Sequence, residues 1–394
     1  MANRASLAVF ITASAMSLVV FASSCSKKTV ETGWKAEIEV VDGVKTIRNP
    51  ETPRYGTFAF DLAEDLVIGR EKDEAYFFPG RVQLDIDGQG RFYVCDWGNR
   101  RVQVYDTDGI YIRTLGRQGQ GPGEYGFPGN VLVDRFGNAY INNPSARSLV
   151  VFGPDGVFKK NILIKTFLAT MILGPGGTLV GAPQPNIQEE GGPKNKLLQL
   201  GPDGEMLRTI ATYPVNGASP GQLLIHWYVG QIAFCPRPDD SFFYGFSLDY
   251  KVHIAGREGQ ELFAFSKVEE SQTITSQEAD MTRESGAFIW YGQGDPRKAP
   301  LDMPDHRPFF TRFISDDLGR LYVIRFKPIT EKDVKTSEID VFSKDGYYLY
   351  RMTWPFVPQV IKGGFLYEVR QDEEAGLTRI IRHRIENWAD FRSE

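Results

Sequence analysis

Along most of the chain, short apolar runs alternate with polar turns, and the turns come in two kinds. In the first, a turn residue leads straight into an apolar strand: GRFYV at Gly90, GNAYI at Gly137, GTLVG at Gly177, DSFFY at Asp240, GRLYV at Gly319 and GGFLY at Gly363. In the second, an extended run closes on an acidic residue and a glycine: VQVYDTDG ending at Gly109, LVVFGPDG at Gly156, LLQLGPDG at Gly204, VHIAGREG at Gly259 and IDVFSKDG at Gly346. An acid–glycine pair between two apolar runs is a strong hairpin signal. Turns of the first kind lie 47, 40, 63, 79 and 44 residues apart, as one repeated supersecondary unit with variable loops would place them. A strand precedes the first turn (VQLDID, Val82 to Asp87; NVLVD, Asn130 to Asp134), and another follows the second (YIRTLG, Tyr111 to Gly116; EMLRTI, Glu205 to Ile210). Each unit therefore holds about four antiparallel strands, and no run reads as a crossover helix. Six such units predict an all-β fold, a six-bladed β-propeller whose blades pack face to face around a channel.

The sixth unit is one strand short: after GGFLYEV and the turn at QDEEAG it has only LTRIIRHRI, Leu377 to Ile385. Upstream of the first unit, FAFDLAEDLVIG (Phe58 to Gly69) carries the fourth-strand pattern, its LVIG matching RTLG. The expectation is that this N-terminal strand completes the last blade, leaving few strand edges exposed. The propeller is then expected over residues 56–390, with a long insertion at 266–304.

FYVCDWGNRRVQVYDTDG, continuing as LGRQGQGPGEYGFPGNVLVDRFGNAYI, resembles the repeats of NHL-type propellers. Those repeats show D-x-x-N-x-R-V-x-V-F-D and then a glycine-rich link, G-x-G-P-G-x-F. Asp96, Asn99 and either Arg100 or Arg101 sit at or near the polar positions of the pattern. DMPDHRPFFTRFISDDLGRLYVIR, Asp302 to Arg325, is similar to later blades of six-bladed propeller lipoproteins of bacterial envelopes. The resemblance covers blades one, two and five best. It implies a rigid ring that binds ligands or, in some relatives, a metal-assisted lyase or hydrolase with acids and histidines converging in the channel.

Composition fits this picture and adds a location. Aromatics make up 13% of the 394 residues, and 40 Gly with 23 Pro provide the many turns an all-β chain needs. The net charge of −5 argues against nucleic acid as a partner. Arg4 and the apolar stretch Ser6 to Ala22 read as an export signal over residues 1–24. The ASSC that follows resembles the lipobox of bacterial lipoproteins, with Ala22 where Leu is most usual. Lipidation of Cys25 is the leading reading, ahead of plain secretion or an uncleaved anchor. The membrane is thus a partner through a lipid, in the bacterial envelope and most simply at the outer membrane, with residues 25–55 as a polar tether. Cys95 and Cys235 lie in apolar strand-like runs and read as two separate buried thiols.

The candidate chemistry is sparse. Gly121, Gly123 and Gly126 match the G-x-G-x-x-G of a dinucleotide turn, but FPGNVLVD leads next into a strand, where phosphate binding needs a helix N-terminus. The loop reads instead as a link between blades. DIDGQG with Asp96 imitates part of a calcium loop, but Gln89 holds the fifth position and RFYVCD reads as a strand, so a turn is expected. His226, His253, His306 and His383 form no ligand-spaced pair, and no zinc, serine-hydrolase or cofactor motif is present. In DWGNRR, Trp97 with Arg100 or Arg101 suits an anionic or aromatic ligand, whereas Asp96, Asn99 and Arg suit the bracing of a hairpin. His306 and Arg325 are further candidates near the mouth of blade five. The segment Ser266 to Pro300 is expected to hold a short helix capped by Ser276, lying over one face as a lid, or else an unstructured flap. Pro183 to Lys196 reads as a long hairpin loop. The candidate ligand-binding residues are therefore Asp96, Trp97, Arg100, His306 and Arg325, with no metal ligands and no cofactor assigned. The function expected is a binding or scaffolding module for a protein, peptide or glycan, with the channel enzyme as the alternative.

Overall fold

The computed structural model describes residues 33–393, apart from 217, 220, 221, 287, 293, 294, 296, 297 and 300. The signal segment and Cys25 lie outside the described residues. Met1–Trp34 and Lys35–Glu394 separate as two units, and the second carries all the described strands.

Strands β1 (Glu37–Val41), β2 (Val44–Asn49) and β3 (Leu62–Ile68) precede blade one, which is β4 (Val82–Ile86), β5 (Phe92–Asp96), β6 (Arg101–Tyr105) and β7 (Tyr111–Leu115). The blade is an antiparallel meander, and its burial follows its place in the ring. In β5 every residue is buried, β4 alternates, and β7 is mostly exposed. A middle strand sandwiched between two neighbouring blades has no solvent face, which is why FYVCD is apolar without alternation.

Blade two spans 131–163, blade three 168–214, blade four 232–267, blade five 310–354 and blade six 360–385, and each begins at the channel and runs outward. The first repeated turn is built the same way in blades one, two and five. In blade one, Asp87 Oδ1 accepts the N–H groups of Gln89 and Arg91, while Oδ2 accepts from Arg91 Nε at 2.6 Å and from the Tyr93 hydroxyl at 3.5 Å. Asp134 does the same for Phe136, Asn138 and Tyr140, and Asp316 for Leu318, Arg320 and Tyr322. One carboxylate thus ties a turn to the strand it opens, which explains the recurring G-[RN]-x-Y. The turn residue has positive φ in every unit, including Asp240 at φ +61°, the one non-glycine among them.

Closure is as expected. β3 pairs antiparallel with Leu377–Ile385, from Leu62 opposite Ile385 to Ile68 opposite Ile380, and is the fourth strand of blade six. The polar stretch expected as a tether departs from its reading. β1 and β2 form a hairpin, and β2 adds in parallel to the outer strand of blade four, Glu261–Lys267, to make a six-stranded sheet. Asn49 at its end is fully buried: its amide donates to Ser266 O and Gly346 O, and it accepts from Tyr348 N–H. The hairpin thereby braces blade four against blade five.

The glycine-rich link turns between blades one and two. Tyr125 is fully buried there, donating to Leu115 O at 2.7 Å and accepting from Val102 N–H, and Gly116 and Gly123 take positive φ. The insertion carries helix α1 (Ser276–Ser285), capped by Thr275 and not by Ser276; Thr275 and Glu278 form a reciprocal capping box. Buried Glu278 also accepts from Tyr228 and Arg307, which fixes the helix beside the turn at Ile329–Glu331. No residue of α1 is among those lining the channel. Among the described residues no helix is long and apolar enough to cross a membrane.

Candidate functional site

The innermost strand of each blade leaves its inner edge without a strand partner, and backbone groups left bare there need other partners. Side chains of the adjacent blade supply them. Gln359 of blade six accepts from Leu84 N–H at 2.8 Å and donates to Val82 O, and Lys362 donates to Ile86 O. Gln83 of blade one in turn accepts from Val131 N–H of blade two and donates to Val131 O. Asp85 accepts from Val133 N–H, and Ser315 of blade five donates to Pro236 O of blade four. Blades six, one and two are stapled in series, and five to four. Packing around Asp85 pushes its carboxyl up to about 6, against the pull of its two backbone N–H bonds and of Lys362.

The channel is a cavity of about 1300 Å³ walled by the inner strands of all six blades. Three residues before the last paired position of each inner strand, one level of the wall carries Gln83, Asn130, Thr170, Ala233, Arg312 and Gln359. Five of the six are polar, and Arg312 alone is charged. It is open to the channel, yet the surrounding wall pulls its guanidinium below the ordinary arginine value by desolvation. Beside this level, at the mouth between blades one, five and six, lies a second cavity of about 510 Å³. Arg81, Gln83, Trp97, Arg312, Gln359 and Gln371 are among its lining residues, and no acidic residue is.

The five sequence candidates do not converge. Trp97 lines both the channel and its mouth, its Nε1 donating to Gly129 O at 3.0 Å. Asp96 is fully buried behind it, accepting from Asn99 and, at 3.0 Å, from Arg101 Nε. Arg101, not Arg100, is therefore the bracing arginine; it also reaches the carbonyls of Glu74 and Phe77. Arg100 is exposed at φ +55° and lines neither cavity. His306 bonds Arg307 O at 2.9 Å and packs on Phe309, away from the channel wall. Arg325 lines a different cavity of about 330 Å³ and lies in an ionic cluster with Glu269, Glu338 and Asp340. The other histidines also stand off the wall: His226 against Asp302 O, His253 against Glu261 and His383 against Glu368. Cys95 and Cys235 are both buried and unpaired, with burial pushing each thiol up to about 12. Among the described residues no three His, Cys, Asp or Glu are placed to hold a metal. Both acids of DIDGQG are engaged by backbone, Asp85 across the blades and Asp87 in its turn.

The residues that sequence reading missed are Arg312, Arg81 and the polar level. A signal existed: Gln83, Asn130, Thr170, Ala233 and Arg312 each lie seven positions before the turn residues Gly90, Gly137, Gly177, Asp240 and Gly319.

A family model described as DUF5128, a 6-bladed beta-propeller, matches residues 81–180, which are blades one and two and the start of three. The chain is a six-bladed β-propeller. A Bacteroides fragilis NCTC 9343 protein described as exported aligns with TM-score 0.51 and 11% identity, over 86% of this chain and 99% of its own. A DUF4221-family member from Bacteroides vulgatus aligns with TM-score 0.50 and 10% identity, over 82% and 98%. Virginiamycin B lyase of Staphylococcus aureus reaches TM-score 0.40 with 10% identity over 82% and 99%, too low a score to carry an argument. At these identities the likeness is one of fold alone. No curated protein matches the chain.

Proposed function

We propose that the chain is an NHL-type propeller lipoprotein of the bacterial cell envelope, anchored in the outer membrane through Cys25, and that it binds its ligand in the channel. The anchor rests on Arg4, the apolar Ser6 to Ala22 stretch and ASSC. The NHL assignment rests on Asp96, Asn99 and Arg101, which brace the first blade's hairpin as one unit. The binding reading is carried by one observation: a wide channel has a polar level built from five of its six blades, and beyond Gln83 and Gln359, which staple neighbouring blades, it carries Asn130, Thr170 and Arg312, which do not.

Anchor and binding are tested separately. Cys25→Ala should move the protein from the membrane to the soluble envelope fraction, and unchanged fractionation would sink the anchor. A thermal-shift screen of saccharides and peptides should find a ligand that stabilises the wild type but not Thr170→Trp, which plugs the channel. A ligand that stabilises both equally places the site elsewhere. The alternative, a metal-assisted lyase or hydrolase, needs histidines and acids converging on the wall, and none of the four histidines lines it. Stoichiometric calcium or zinc in the purified protein would favour that alternative instead.

A further inference from the structure

Resting on the binding reading, we propose that the mouth of the channel takes an acidic saccharide, its carboxylate or sulfate held by Arg81 and Arg312 and its ring face lying on Trp97. The mouth is lined by two arginines and no acid, in a chain whose net charge is −5. In the blade frameworks Arg91 is matched to Asp87, Arg101 to Asp96, Arg320 to Asp316 and Arg325 to Asp340. Among the described residues neither Arg81 nor Arg312 has an ion pair or a side-chain hydrogen bond. Two unmatched guanidiniums sharing a concave wall call for an oxyanion, which their planar donor forks fit.

Of the other polar groups of the mouth, all but the Gln371 amide are already engaged. Gln83 and Gln359 are held by backbone of the neighbouring blades, Thr378 Oγ1 donates to Gly80 O, and the Trp97 N–H is tied to Gly129 O. What the mouth still offers is two guanidiniums, the Gln371 amide and an indole face, so the matching group is rich in acceptors and carries a flat apolar face. A pyranose presents such a face of C–H groups, and on the channel side Phe127 packs against Trp97 with ring centroids 6.4 Å apart. The mouth opens on the polar level, where Asn130 and Thr170 have no side-chain hydrogen bond among the described residues. Neutral hydroxyl-binding groups beyond an anion clamp fit a sugar chain better than an aromatic acid. The mouth's volume of about 510 Å³ suits a ligand of disaccharide size.

The test is calorimetric titration of the detergent-solubilised full chain at low salt with a digalacturonate, a sulfated disaccharide, neutral digalactose and inorganic sulfate. One acidic disaccharide should bind, and the neutral one should bind at least about tenfold more weakly, as should Arg312→Gln and Arg81→Gln with the acidic one. Unchanged melting temperatures of both variants separate lost binding from lost folding. The digalacturonate and sulfated arms tell a carboxylate from a sulfate. The proposal is overturned if neither acidic disaccharide binds, if the neutral one binds as well, if both variants bind like wild type, or if sulfate alone competes at equal concentration. Neutral binding that Thr170→Trp abolishes would overturn the acidic assignment and leave the channel reading standing. Acidic binding lost in Arg81→Gln but kept in Thr170→Trp would do the reverse.

Discussion

Blades one and five share a hairpin of the same register and fill it with opposite charge. Phe92 faces Tyr105 in one and Leu321 faces Phe342 in the other, so Asp96 corresponds to Arg325 and Gln103 to Asp340. In blade one the acid ends the second strand and Arg101 opposite it is the cation, while Gln103 deeper in the blade is neutral and accepts from Tyr105 at 2.7 Å. In blade five the cation ends the second strand and the acid lies deep. Asp340 accepts from Tyr250 at 2.6 Å, from Tyr348 at 2.5 Å and from Arg325 at 2.9 Å, and Lys267 Nζ lies 3.0 Å away. Burial pulls the Asp340 carboxyl upward, but Lys267 and Arg325 outweigh it and hold the group well below the usual carboxylate range. Burial correspondingly lowers Lys267. The framework position thus has no fixed sign; what it requires is that whichever charge is buried there be matched. The extra partners of blade five come from blade four, through Lys267 and Glu269, where the β1–β2 hairpin braces the pair.

The contrast between the blades breaks first at Asp340. Asp340→Ala removes the buried carboxylate that Lys267 and Arg325 share, leaving fully buried Lys267 with Glu269 alone, and should cost about 3–5 kcal/mol in urea unfolding. A loss like that of a surface pair would show that the cluster is solvated. Gln103→Asp gives blade one the acid of blade five without its cations. It should cost about 2–4 kcal/mol at neutral pH and less in acid, where the new carboxyl holds its proton; equal stability at both would refute the matching rule. Asp96→Ala should cost less, about 1–3 kcal/mol, because Arg101 keeps the Glu74 and Phe77 carbonyls and has a path to water. A cost matching that of Asp340→Ala would erase the distinction between the blades.

The smallest effect concerns acid on the channel wall, and its sign is opposite to that of Asp340. The Asp340 carboxyl is depressed in the fold, so its contribution is present above the unfolded carboxylate value and lost as pH falls below it. Asp85 is raised to about 6, so the fold holds that proton more tightly than the unfolded chain does, and stability from this group falls as pH rises between about 4 and 6. Half-buried as it is, Asp85 should account for about 1–2 kcal/mol across that window. Comparing urea midpoints of wild type and Asp85→Asn at both ends of the window measures it, and parallel pH profiles would remove Asp85 from the account.

The fold was largely legible because its signals are local. Each blade announces itself by a positive-φ turn before its second strand, tied by an aspartate in blades one, two and five, and the LVIG strand declares its place by matching RTLG. The N-terminal hairpin was not legible: β1 exposes all five residues, and EIEVV among charged neighbours has no core face to reveal it. At the site, Trp97 was visible as an aromatic in a loop. Arg312 was hidden inside PFFTRFIS, where an arginine in a strand looks like a solvent-facing residue, and only the seven-residue offset shared with other blades marks it.

By itself, then, the sequence determined the number of blades, their order and the strand that closes the ring. Turn chemistry and apolar runs act within a few residues, and a repeat writes them many times. Only the tertiary structure decided which charges have partners. Asp96, Asp340 and Arg325 are neutralised by residues brought from other strands or other blades, while Arg81 and Arg312 face a mouth where no acid arrives. Pairing depends on distances between distant segments, and those exist only once the ring has closed.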